Sequence, residues 1–180
     1  MNFAAVGGRM GMNGKLDKRF SDPEAQATTW EDAFGVLERA ELYWITTVHP
    51  DGRPHVTPLI GVAADDVVYF CTGLEEQKGR NLQHNENVAL TTGNNTWAKG
   101  LDVVVEGRAV RIDDDERLKQ LAEAWVAKYG SEWHFDVYDG MFRHADGGGA
   151  AVFRIEPAKV MAFAKDPHGQ TTFRREPRGG

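Results

Sequence analysis

A single cysteine, Cys71, is all the thiol this chain has, which excludes an internal disulfide framework and any thiolate-rich zinc or iron–sulfur site. Long apolar runs are missing as well. The longest, residues 42–48, carries two threonines and falls far short of the roughly 20 residues a membrane-spanning helix needs. Basic residues are in the minority, 21 against 27 acidic, giving a net charge of -6 that repels phosphate backbones and anionic lipid. Neither a nucleic acid nor a membrane is therefore expected as a partner. The six histidines include no pair at the i, i+4 spacing of a helical zinc motif, and none stands beside the cysteine. There is no G-x-S-x-G elbow, no G-x-x-x-x-G-K-[ST] loop and no G-x-G-x-x-G after a strand, so hydrolase, P-loop and Rossmann readings lack their usual supports. What the chain does have is 41% hydrophobic residues over 180 positions, enough for one core and cramped for two. The composition reads as that of a cytoplasmic protein.

Residues 1–25 read as a flexible N-terminal tail, because the apolar patch at residues 3–6 is short and is followed by glycine and charge. Thr29-Trp30-Glu31-Asp32 resembles a capping box, and Trp30, Ala33, Phe34 and Leu37 then share one helical face. A β-rich run follows at residues 42–48. His49-Pro50-Asp51-Gly52-Arg53 suits a hairpin turn, leading into a second strand over residues 54–62 whose Pro54 and Pro58 place it at an edge or a bulge. Further strands are expected over 67–72, 88–92 and 101–112, with Gly107 marking a bend, and a short helix over 75–84. Asp113 is the expected N-cap of the clearest helix, in which Leu118, Leu121, Ala122, Trp125, Val126 and Tyr129 keep a helical spacing up to Gly130. Residues 131–149 hold aromatics without periodicity and close in a glycine run. Strands are expected again at 150–155, 159–164 and 171–175. Short strands joined by hairpins and interrupted by few helices argue for an α+β, mainly β fold, an antiparallel barrel with peripheral helices.

Three segments could carry chemistry. In Thr72-Gly73-Leu74-Glu75-Glu76-Gln77-Lys78-Gly79-Arg80-Asn81-Leu82 a strand ends in a hydroxyl and a glycine and a helix begins, placing backbone N–H groups and two cations near one rim, as a phosphate would need. The same Lys78 and Arg80 equally suit an ordinary surface, paired with Glu75, Glu76 or Glu86. In His55-Val56-Thr57-Pro58, alternation puts His55 and Thr57 on one face and Val56 on the other, either beside a planar ligand or along an exposed edge. Asn94-Asn95-Thr96-Trp97 offers amides and an indole, or simply a polar loop with an anchoring Trp. Cys71 reads as a small buried hydrophobe rather than a nucleophile.

The order of these pieces resembles a known family. A strand, the turn and strand PDGRPHVTP, then VVYFCTG, a K-G-R-N-L helix, N-V-A-L and L-D-V-V-V-E-G-R-A-V together look like the pyridoxamine 5'-phosphate oxidase-like split β-barrel superfamily of flavin and deazaflavin proteins. The resemblance runs from about residue 30 to residue 175, and no single motif in it is as diagnostic as a P-loop. The closing Ala162-Phe163-Ala164-Lys165 and Gln170-Thr171-Thr172-Phe173-Arg174 are similar to the branch, actinobacterial in type, that uses the 8-hydroxy-5-deazaflavin coenzyme F-420. The resemblance implies a six-stranded antiparallel split β-barrel over residues 26–176 that binds the cofactor as a homodimer. Lys78 falls on the family's phosphate-binding lysine, with Arg80, Asn81 and Leu82 on the helix after it. His55, Val56, Thr57 and Pro58 would line the ring, Thr72 and Gly73 would meet the ribityl or phosphate end, and Asn94, Asn95 and Trp97 would border the pocket. Gln170, Thr171 and Arg174 match the segment that a partner subunit contributes. Gln77 stands where many relatives carry Arg, and Thr172 where related closing motifs carry Arg. The implied activity is an oxidoreductase passing a hydride between F-420, or FMN in its place, and a small organic substrate. The alternative within the same fold is a non-catalytic flavin- or haem-binding protein for storage or sensing.

Overall fold

The computed structural model describes residues 12–145 and 147–175, the last of them by its backbone alone. Where local chemistry suffices, the elements follow the expectations closely. The Thr29 hydroxyl accepts the Asp32 N–H at 3.1 Å and donates to the Asp32 carboxylate at 2.6 Å. This starts α1 (Trp30–Arg39), which buries Ala33, Phe34 and Leu37. The turn after β2 (Tyr43–Val48) is closed by the His49 N–H on the Arg53 carbonyl at 2.9 Å. It delivers β3 (Pro54–Leu59) antiparallel to β2. The long helix α3 (Asp115–Tyr129) is capped by Asp114, whose side chain accepts the Arg117 N–H at 2.7 Å, one residue later than the Asp113 expected.

Differences arise where the partner strand decides. The single strand expected over 54–62 is interrupted at Ile60: β3 stays on β2, whereas β4 (Gly61–Ala64) pairs with β5 (Val67–Thr72). Gly61 permits the switch, since a Cβ there would lie 2.5 Å from the Tyr69 carbonyl oxygen. The two strands expected over 150–155 and 159–164 are one, β10 (Gly149–Lys165). Its register against β7 (Leu101–Ile112) shifts between Pro157 and Lys159, directly across from Gly107, where proline has no N–H to give to the ladder. On its other edge, β10 pairs first with β5, through Ala151–Ile155, and then with β11 (His168–Arg175), through Val160–Lys165.

Residues 12–25 do not behave as the loose tail expected of them. Met12–Leu16 is strand β1, paired along its length with β11, and a 3-10 turn (Lys18–Phe20) follows. The start of that expected tail, residues 1–11, lies outside the described residues. The remaining elements are α2 (Gln77–Leu82), β6 (Asn87–Thr92) between β2 and β7, and a small hairpin of β8 (Asp136–Tyr138) and β9 (Met141–Arg143) that pairs with the start of β10. That hairpin and a 3-10 turn (Ser131–Trp133) give structure to the stretch in which the sequence shows no periodicity.

The result is a mainly β protein, one antiparallel sheet flanked by three α-helices. Its described residues form eleven strands where six were expected. Followed by hydrogen bonding, the order β3-β2-β6-β7-β10-β5-β4 begins and ends on two strands that only Ile60 separates in the chain. Two apolar clusters hold the sheet. One lies under α1 and contains Tyr43, Ile45, Phe70, Leu90, Val103, Ile155 and Phe173. The other joins α3 and the β8–β9 hairpin to Val62, Tyr69 and Val152. Neighbours in sequence go to opposite clusters, Tyr69 and Phe70 in β5, Val152 and Phe153 in β10, because side chains alternate along a strand buried on both faces. No helix among the described residues is long and apolar enough to cross a membrane.

Candidate functional site

A cavity of about 500 Å³ opens where the second cluster stops short of the end of β5. Its apolar wall is built from Leu59, Ile60, Cys71 and Ala150 on the sheet side, and from Trp133, Phe135 and Phe142 in the 131–149 segment. Phe135 and Phe142 stack at 4.6 Å between centroids, 13° from parallel, so this wall is flat and stiff. Cys71 contributes a thiol that burial, with Glu76 nearby, pushes up to about 12. It stays protonated at neutral pH and acts as wall, not nucleophile.

The polar mouth includes Thr72, Gly73, Glu76 and Lys78, and His144 joins the lining from the 131–149 segment. The Glu76 carboxylate turns back toward β5, accepting the Gly73 N–H at 2.8 Å on Oε1 and pairing with the Lys78 ammonium through Oε2. The Thr72 hydroxyl donates to the Gly73 carbonyl at 3.3 Å. Partial burial raises this carboxyl, but the Lys78 ammonium and the Gly73 N–H outweigh burial and hold it below its ordinary range. Gly79 lets α2 sit close: a Cβ there would run into the Gly73 carbonyl and Leu74. Arg80 faces outward, paired with Glu75 at 3.3 Å across an exposed surface.

Behind the mouth, Gln77 Nε2 meets His49 Nδ1 at 3.2 Å and donates to Asn81 at 2.9 Å. Buried Asn81 donates to Thr47 at 2.9 Å, and Thr47 lies 3.4 Å from His55 Nδ1. Burial, helped by His49 and Lys78, lowers the His55 pKa, so its imidazole is neutral at pH 7. Gln77 thus serves as an uncharged bridge. The Thr57 hydroxyl, on the face shared with His55, is buried without a hydrogen-bond partner.

Within one chain, the sequence-derived candidates separate into groups. Pro58, Thr72, Gly73 and Lys78 line the cavity, with His55 and Asn81 in the network behind it. Val56 is exposed on the opposite face of β3. Asn94 is tied into its own loop, donating to Lys99 and Thr96, while Asn95 is exposed and Trp97 stands against His168 with its ring 84% exposed. On β11, Thr171 is buried and accepts the Thr28 N–H, Gln170 bonds through its backbone to Ser21, and Arg174 is exposed. Sequence reasoning missed Trp133, Phe135 and Phe142 as cavity wall. The available signal was the concentration of aromatics in a stretch with no period of its own. Among the described residues no group of three or more His, Cys, Asp or Glu converges to hold a metal ion.

A flavin-type group can be tested against these residues. The flat apolar wall and the cavity size suit a planar ring. At the mouth the Gly73 N–H and the Lys78 ammonium are the donors a phosphate would meet, and both are directed to the half-exposed Glu76 carboxylate.

The profile of the family described as Pyridoxamine 5'-phosphate oxidase matches residues 29–163. No curated protein matches. Solved structures with the same fold include a conserved hypothetical protein from Mycobacterium tuberculosis, 17% identical, with a TM-score of 0.62 over 84% of this chain and 90% of that one. A heme binding protein from Mycobacterium smegmatis is 15% identical, TM-score 0.64, over 82% of this chain and 58% of that one. General Stress Protein 26 from Bacillus anthracis is 17% identical, TM-score 0.57, over 78% and 95%. At such identities the likeness is one of fold.

Proposed function

This chain belongs to the pyridoxamine 5'-phosphate oxidase family, and from that premise we propose that it is a cytoplasmic oxidoreductase acting with a flavin-type ring, coenzyme F-420 rather than FMN, on a small organic substrate. The observation that carries the reading is the cavity at the end of β5, apolar and aromatic on its walls and polar at one rim. The preference for the deazaflavin rests on the resemblance of the closing segments, residues 162–165 and 170–174. We read the ring of paired strands as a six-stranded split barrel in which β3 and β4 are two halves of one bent strand. In a homodimer of such barrels, Gln170, Thr171 and Arg174 of one protomer would complete the groove of the other.

Such a ring would supply, when bound, a hydride for an activated double bond, with the one proton that completes the reduction drawn from water. The residues of the chain position and enclose. Trp133, Phe135 and Phe142 exclude water from the ring face. Neutral His55 lies in the network behind Lys78, outside the cavity lining, and adds no second cation there.

Titration of the full chain with F-420 and with FMN tests this, read by quenching of tryptophan fluorescence, since Trp133 forms part of the wall. Saturable quenching by F-420 is expected, with turnover of the reduced cofactor on enone or quinone acceptors. Absence of binding by either cofactor in calorimetry would sink the reading. Tight binding with no turnover across the acceptors would instead favour a storage or sensing module, a reading supported by the heme binding protein among the structures that share this fold.

A further inference from the structure

We propose that Lys128 and Tyr129, in the last turn of α3, are positioning residues for the cavity: neither lines it, yet together they hold three stretches of its wall in place and so set how tightly a planar ring is held. The inference rests on the reading of the cavity as a flavin-type site and deepens it by naming residues that act on that site from behind.

The wall is made at a discontinuity. Leu59 ends β3 on β2, Gly61 begins β4 on β5, and Ile60 belongs to neither ladder, yet Leu59 and Ile60 both line the cavity. Gly61 has no side chain to anchor it, so its N–H and its carbonyl are its only handles, and α3 takes both. The Gly61 N–H donates to the Tyr129 hydroxyl at 3.1 Å, and the Lys128 ammonium donates to the Gly61 carbonyl at 2.9 Å. The Tyr129 hydroxyl has one proton of its own to give, with the Glu41 carbonyl at 3.0 Å and the Gly61 carbonyl at 2.8 Å within reach. Glu41 immediately precedes Leu42, and Trp133 follows one helical turn after Tyr129 with its ring 6.5 Å away. Leu42, Ile60 and Trp133 all line the cavity. One hydroxyl therefore sits where the three stretches of chain that carry them meet.

Lys128 braces the same joint from α1. It donates to the Tyr43 hydroxyl at 2.9 Å, and that hydroxyl donates to the Leu37 carbonyl at 2.5 Å, so one line of hydrogen bonds runs from α1 through the start of β2 to Gly61. The ammonium also stands 5.0 Å from the centre of the Tyr43 ring and 5.2 Å from that of Tyr129, which keeps it between them. The seating of α3 belongs to other residues. Leu118, Leu121 and Trp125 are buried in the second apolar cluster, whereas Lys128 and Tyr129 are partly exposed. Removing the Tyr129 hydroxyl leaves its ring packed and the helix seated, and takes away only what the joint at Ile60 is tied to. The effect on the wall is therefore separable from the stability of the helix.

Tyr129→Phe and Lys128→Met in the full chain test this, with affinity measured for whichever of F-420 and FMN the unaltered protein binds, melting curves to verify folding, and hydrogen exchange read by mass spectrometry. Affinity is expected to fall about fivefold or more in Tyr129→Phe and about threefold or more in Lys128→Met. In Tyr129→Phe, peptides covering residues 59–64 should exchange about tenfold faster while those covering 116–126 exchange as before, a pattern that a general loosening of α3 does not give. Lys165→Met, a loss of stability away from the cavity, should leave affinity unchanged. Affinity unaltered in both folded variants, an equal loss in Lys165→Met, or a loss accompanied by faster exchange over 116–126 overturns the positioning role and leaves the reading of the cavity intact. Binding of neither cofactor by the unaltered protein defeats both.

Discussion

Lys78 and Lys165 are covered to nearly the same extent, 13% and 12% exposed, and each pairs with a carboxylate, yet their surroundings differ in kind. Lys165, at the end of β10, holds Asp102 at 2.9 Å, the Thr96 carbonyl at 2.6 Å, and the carbonyl and side-chain oxygens of Asn94 at 3.2 and 3.3 Å. Every direction its ammonium can donate in is filled by a group that the 93–100 loop needs held. Lys78 has its ion pair with Glu76 at the rim of a 500 Å³ cavity, and that carboxylate has its own half-exposed route to solvent. The first arrangement is a staple, in which the charge is consumed by the fold. The second is an ion pair at a cavity rim, with a single carboxylate as its partner. Burial of a cation alone does not distinguish the two; the saturation of its acceptors does.

Substitution should separate these roles most clearly at the staple. Lys165→Met orphans Asp102 and two loop carbonyls, and is expected to cost about 2 kcal/mol of stability, which lowers Tm by roughly 5 °C. F-420 affinity should be unchanged, and a loss of affinity with no fall in Tm would erase the distinction drawn between the two lysines. The smaller effect belongs to Lys78→Met. Its carboxylate partner can turn to water, so denaturant unfolding should show a loss under about 1 kcal/mol. F-420 affinity should fall, since the negative Glu76 is then unmatched at the cavity rim. A stability loss as large as that at Lys165 would make Lys78 a second staple.

A third lysine sharpens the contrast and carries the smallest effect. Lys128 of α3 donates to the Tyr43 hydroxyl and the Gly61 carbonyl, both neutral and both at 2.9 Å, and lies over the rings of Tyr43 and Tyr129. Burial outweighs the more distant Glu38 and Glu41 and lowers its pKa to about 8. The unfolded chain then binds more protons at this site than the folded one between about pH 8 and the ordinary lysine value, so stability should rise with pH from about 8. The Cys71 thiol, pushed up to about 12, acts oppositely once pH passes its ordinary value of 9.0, because the unfolded chain then loses a proton the fold retains. Melting curves should therefore show a small rise in Tm between pH 8 and 9 that disappears in Lys128→Met. A flat profile in the unaltered protein would show that the neutral acceptors and the rings fully compensate the charge.

Legibility in the sequence followed the range of the interaction. The capping of α1 by Thr29, the spacing of α3 and the turn from His49 to Arg53 depend on neighbours a few residues away, and each was visible in the residues themselves. The break at Ile60, the fusion of β10 across Pro157 and the capture of Met12–Leu16 by β11 depend on which strand lies alongside, which no local pattern records. The site divides the same way. Thr72, Gly73 and Lys78 lie within seven residues and arrive at the cavity as one piece of chain, whereas Trp133, Phe135 and Phe142 reach it only because their hairpin pairs with the start of β10.

From the sequence alone came the mainly β antiparallel class, the capped helices and the segment at the end of β5, because alternation, capping and turn chemistry act between close neighbours. Only the tertiary structure decided that Glu76 turns inward rather than away, that Arg80 is spent on the surface, and that one covered lysine is saturated while another faces a cavity. A charge in a sequence has no assigned partner. The partner is set by which acceptors the folded backbone brings within about 3 Å, where a hydrogen-bonded ion pair can form.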